Sequence, residues 1–142
     1  MPAVPAPKRL STRLLSMAGM LSLAAILVLF PFDWLADVWP AYAALFDQVF
    51  RTARDHAVGH ATLFLIAGGL VLLVFPALVW HPWRYAGLMA LAALGQEAVQ
   101  ILARQAWPPS VWDARDLLFD TIGWSLALGV GWLVARSRAA HG

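Results

Sequence analysis

Leu14 to Phe30 reads LLSMAGMLSLAAILVLF, an apolar run without a charge. A membrane-spanning helix needs about 20 apolar residues, with a range near 17–25. The run only just qualifies, and Pro31, Phe32 and Asp33 end it. Three more stretches are predominantly apolar over a similar length: Ala57 to Trp80, Trp83 to Leu102 and Leu117 to Val134. Each predicts a transmembrane helix. A cleaved signal peptide is the rival reading of the first run, and it requires a small-residue cleavage site close behind. The only good match, Ala41-Tyr42-Ala43, lies too far downstream, so an uncleaved first span is expected.

Between the first two spans the pattern changes. Tyr42, Leu45, Phe46, Val49, Phe50 and Ala53 recur at helical spacing, with Asp47, Gln48, Arg51, Arg54 and Asp55 largely opposite them. This predicts a short amphipathic helix in the membrane interface, or the same helix packed on the spans. The short turn His81–Arg84 predicts a tight antiparallel hairpin of spans two and three. Pro108-Pro109 keeps the loop Ala103–Arg115 from being helical throughout.

Composition agrees with the pattern. Of 142 residues 61% are hydrophobic and 13% charged, against roughly 45–50% and about 25% in soluble domains. The predicted class is an all-α integral membrane bundle of four transmembrane helices with the amphipathic segment. It divides into a disordered basic tail over 1–13, a transmembrane domain over 14–135 and a tail over 136–142. The absence of cysteine excludes disulfides and thiolate chemistry. No compact basic run points to nucleic acid.

Four spans put both termini on one side, with Lys8, Arg9, Arg13, Arg84, Arg136 and Arg138. Arg51, Arg54, Arg104 and Arg115 fall on the other. The positive-inside rule therefore predicts a multi-pass protein of the cell membrane with both termini cytoplasmic. The acidic residues all fall in the outer half or beyond it. Trp34, Trp39, Trp80, Trp83, Trp107 and Trp112 flank the spans as an aromatic belt.

The candidate chemistry follows from that topology. Span three carries ALGQEAVQILARQ, with Glu97 and Gln100 on one face of its outer half and Arg104 continuing that face. Span two enters with His56 and His60, span four with Asp116 and Asp120, each pair four residues apart. Three helices thus deliver polar groups to one depth. A charged group at mid-span costs on the order of 2.5–3.5 kcal/mol, so these groups are expected to face one another or a wet cavity. Gly123, Ala127 and Gly131 on span four, and Ala90 and Ala93 on span three, predict a seam of close packing below them. Each group also has a plain structural reading. Glu97 and Gln100 suit an interhelical hydrogen-bond pair, and Asp116 and Asp120 suit a helix start. His56 suits the interface. Arg104 and Arg115 are either solvated loop residues or partners of the acids.

These residues resemble the VanZ-like family of small bacterial membrane proteins. The resemblance rests on His60, Phe64 and Gly68 in HATLFLIAG, on Glu97 and Gln100 in QEAVQ, and on Asp116, Asp120 and Gly123 in DLLFDTIG. It covers about residues 55–135. Asp120 stands where the family usually has Asn. The resemblance implies a multi-span membrane protein, with founding members linked to resistance to glycopeptides such as teicoplanin.

The leading functional expectation is a bacterial envelope protein whose outward polar pocket, His60, Glu97, Gln100, Asp116 and Asp120, binds a membrane lipid head group, a lipid-linked wall precursor or a glycopeptide. A second is a small membrane enzyme acting on a lipid-linked or phosphate-containing substrate. His60, Glu97, Asp116 and Asp120 are chemically fit to ligate a divalent metal, and Glu97 to act as an acid or base. No recognised metal motif is present, so no metal or cofactor is assigned. A proton path is disfavoured because the inner halves of spans two to four are almost wholly apolar. A purely structural role for the cluster completes the set.

Overall fold

The computed structural model describes residues 8–105 and 107–141. Residues 1–7 of the expected basic tail lie outside that set, as do the side chains of residues 8–11 and of Asp33. The chain is all α: α1 (Lys8–Leu29), α2 (Phe32–Val38), α3 (Pro40–Val49), α4 (Ala53–Val74), a 3-10 turn (Pro76–Trp80), α5 (Pro82–Arg104) and α6 (Val111–Ala140). Helices α1, α4, α5 and α6 are long and apolar enough to cross a membrane, as expected for an integral membrane bundle.

Several boundaries differ from the apolar pattern, and each difference has a local cause. Helix α1 starts at Lys8, so residues 8–13 of the tail expected to be disordered are helical. Helix α4 starts at Ala53 rather than Ala57, because Thr52 and Asp55 form a capping box. Thr52 Oγ1 accepts from the Asp55 N–H, and Asp55 Oδ2 accepts from the Thr52 N–H at 2.8 Å. Helix α6 starts at Val111 rather than Leu117 through the same device on Ser110 and Asp113. Each cap satisfies free N–H groups and stabilises its helix by roughly 1 kcal/mol. Asp116 therefore sits inside α6, beyond the helix start where it was expected.

Pro76 ends α4 at Val74, since proline lacks the N–H and disfavours helix at the residue before it. The chain then turns through Pro76–Trp80 into α5. This separates α4 from α5, and the tight hairpin predicted for them is not formed. Helix α4 packs along α6 and α1, and α5 packs along α6 and α1, so α4 and α5 face each other across the bundle. The amphipathic helix expected over Tyr42–Ala53 forms as α3 but ends at Val49, and Ala53 opens α4 instead.

The core runs along the inward faces: Phe64, Ala67, Val71 and Leu72 of α4, Tyr85, Met89 and Ala93 of α5, and Val28 of α1. Ala90, placed in the seam by spacing, is exposed, and Met89 takes the inward position. Close approach of α4 and α6 depends on Gly123. A Cβ there would run into the carbonyl oxygen of Ala61. Leucines 14, 15, 23, 73, 91 and 133 stay exposed, the surface a bilayer rather than water suits. Trp34, Trp39, Trp107 and Trp112 stand exposed at the end where α4 and α6 begin, and Trp80 and Trp83 at the other.

Candidate functional site

Three helices bring one residue each to a common point near the start of α4 and α6. His60 comes from α4, Glu97 from α5 and Asp116 from α6, and one ligating atom of each lies within 4.8 Å of the others. Asp120, one turn further along α6, lies behind His60. Its Oδ1 is 2.9 Å from His60 Nδ1. The other ring nitrogen, Nε2, is 3.6 Å from Asp116 Oδ2. The imidazole is thus held between two carboxylates, with Nε2 turned toward the cluster.

Burial sharpens the picture. Asp120 is 0% exposed and Glu97 4% exposed. Both Glu97 oxygens, and Asp120 Oδ2, have no hydrogen-bond partner among the described residues. An unpaired buried carboxylate is costly, so such a group calls for a compensating proton or cation.

Two cavities meet at this cluster. The first, about 250 Å³, has aromatic walls: Phe32 of α2, Tyr42 and Phe46 of α3, and Phe50. Its floor is His60, Gln96 and Gln100. Phe46 and Phe50 pack ring to ring, with centroids 4.7 Å apart, and both lie against His56. The second cavity, about 340 Å³, is polar and takes in Arg51, Thr52, Arg104, Arg115 and Asp116. His56, His60 and Gln100 line both. The α3 segment has no buried residue of its own, yet its aromatic face roofs the first cavity.

Of the residues singled out by sequence, His60, Glu97, Asp116 and Asp120 converge, and Gln100 lies beside them, 9% exposed. His56 is a wall residue at the aromatic roof. Arg104 reaches a different acid: its Nη2 is 2.9 Å from Asp113 Oδ1, tying the end of α5 to the start of α6. Arg115 lies over the rings of Trp112 and Phe119, 5.6 Å from each centroid, while lining the polar cavity.

Three residues escaped the spacing argument. Gln96 is 4% exposed and lines the aromatic cavity. Its neighbours in sequence hid it, because Gln96 and Glu97 are adjacent and a strict one-face reading takes only one. Asp113 was readable from Ser110-Val-Trp-Asp113, a capping-box spacing. Tyr85 is fully buried, and its hydroxyl donates to the Trp124 carbonyl at 3.1 Å. It fits only because residue 68 is Gly, whose missing Cβ leaves room for that hydroxyl.

No protein-family model matches the chain, nor does any curated protein or solved structure, so the resemblance to VanZ-like proteins stands on its three motifs alone.

Proposed function

We propose that the protein is an envelope membrane protein that binds a phosphate-bearing amphiphile in the paired cavities, on the outward side of the bilayer. The carrying observation is the junction at His56, His60 and Gln100 between an aromatic cavity and an arginine-bearing one. An amphiphile has the same two parts. Its chain suits walls built from Phe32, Tyr42, Phe46 and Phe50. Its anionic head suits Arg51, Arg104 and Arg115. Lipid-linked wall precursors belong to this ligand class, and the VanZ-like motifs add glycopeptides to the compounds worth testing. The orientation follows the arginine bias of the loops.

The test is thermal stability of the purified protein in detergent with a phosphate monoester lipid and with the same lipid lacking phosphate. The phosphate lipid raises Tm, and the neutral one does not. Equal shifts, or none, defeat the reading. A second reading, an enzyme acting on that phosphate, is favoured by the cluster of His60, Glu97 and Asp116 bordering the head-group cavity. Release of inorganic phosphate from the same lipid, absent in Glu97→Gln, tests it.

A further inference from the structure

We infer that His60, Glu97 and Asp116 form a three-ligand site for a divalent transition-metal ion, zinc by its chemistry, with Asp120 as the group that orients the imidazole. The claim goes beyond amphiphile binding and does not depend on it.

Four observations carry it. The three donors come from three different helices, and their ligating atoms lie within 4.8 Å of one another. At Zn–N and Zn–O bonds of about 2.0–2.1 Å, tetrahedral donors stand roughly 3.3 Å apart. His60 Nε2 and Asp116 Oδ2 are already 3.6 Å apart, and no donor pair is more than 4.8 Å apart, so side-chain rotation brings the set together. Next, Asp120 sits 2.9 Å from His60 Nδ1. A metal-binding imidazole characteristically gives its other N–H to a carboxylate, which fixes the tautomer and aims the free nitrogen at the ion. Here the free nitrogen is Nε2, on the side of Asp116.

The third observation is Glu97. It is 4% exposed, and neither carboxylate oxygen has a partner among the described residues. A buried acid left unpaired at the meeting point of three helices calls for a proton or a cation, and His60 and Asp116 beside it offer the further donors a cation needs. A dication supplies the missing charge. The fourth is the donor mix. One imidazole and two carboxylates suit zinc and its neighbours, whereas calcium and magnesium prefer all-oxygen sets. Three protein ligands leave a position open, and Asp116 lines the polar cavity, so an exchangeable water or a phosphate oxygen has access there. A cation also reconciles the carboxylates with an anionic head group beside them.

The experiment uses the full chain, purified in detergent, stripped with a chelator and reloaded with zinc chloride. Elemental analysis after desalting is expected to return one zinc per chain, and loading is expected to raise Tm. Glu97→Gln and Asp116→Asn are expected to lose stoichiometric zinc and the Tm gain. Asp120→Asn is expected to bind roughly 10–100-fold more weakly, as orienting partners usually do. Cobalt chloride loaded onto the unaltered protein gives a readout independent of whether any variant folds: visible absorption bands of a four-coordinate nitrogen–oxygen site are expected, abolished by excess zinc. Unaltered protein that retains no zinc and gives no such bands overturns the site. So does full zinc retention in folded Glu97→Gln and Asp116→Asn. Loss of lipid binding with zinc retained would sink the amphiphile reading and leave this one standing.

Discussion

His60 Nδ1 and Asp120 Oδ1 lie 2.9 Å apart, sixty residues distant in the chain, joining α4 to α6 at a point where Asp120 has no exposure at all. Removing one member of a buried pair strands the other, at a cost of about 3–5 kcal/mol. Asp120→Ala is therefore expected to lower Tm far more than Asp116→Ala, whose side chain is 20% exposed and can be replaced by water. Thermal melts of the two variants in one detergent check the order. Asp120→Asn keeps an acceptor for the imidazole and is expected to fall between them.

Close packing of α4 on α6 makes Gly123→Ala the most damaging of the glycine changes in α6. Its Cβ meets the Ala61 backbone, which cannot rotate aside. Gly129→Ala has open space around its Cβ and is expected to leave Tm unchanged. Folded yield by size-exclusion chromatography separates the two.

The hydroxyl of Tyr85 occupies the space a Cβ on residue 68 would need. Gly68→Ala is expected to displace it and break its bond to the Trp124 carbonyl. Adding Tyr85→Phe removes the clashing atom. The double variant is expected to be more stable than Gly68→Ala alone, and the cycle completed with Tyr85→Phe is expected to show a coupling of about 0.5–3 kcal/mol, as for residues in contact.

At the α5–α6 junction Asp113 has two tasks, the cap on Ser110 and the pair with Arg104. Arg104 is 36% exposed on its side chain, and such pairs contribute roughly 0–1 kcal/mol. Asp113→Ala is expected to cost about 1 kcal/mol more than Arg104→Ala, because it also loses the cap. Chemical or thermal denaturation of both variants decides.

The aromatic roof is expected to govern amphiphile binding with little effect on stability, since α3 contributes no buried residue. Phe46→Ala is expected to weaken binding of the phosphate lipid about tenfold or more while shifting Tm by only a degree or two, a loss of about 1.4 kcal/mol or more of binding free energy. Native mass spectrometry with the lipid, beside a melt, reads both.

The apolar runs alone determined that the protein is a helical membrane bundle, because hydrophobic length and the 3.6-residue period are local properties of a segment. They also placed His60, Glu97, Asp116 and Asp120 at one depth, since depth along a span is counted in residues. The helix bounds were written in local chemistry that the apolar runs, read from Ala57 and Leu117, passed over: Thr52-x-x-Asp55 and Ser110-x-x-Asp113 start α4 and α6, and Pro76 stops α4. Depth says nothing of how each helix is turned about its axis or which neighbour it meets. Only the packed structure put Asp120 on Nδ1 and Asp116 on the side of Nε2, sent Arg104 to Asp113, and laid the aromatic face of α3 over the cavity. Those choices are made by contacts between segments far apart in the chain, where Gly123 and Gly68 allow backbones and rings to approach, and no single segment carries them.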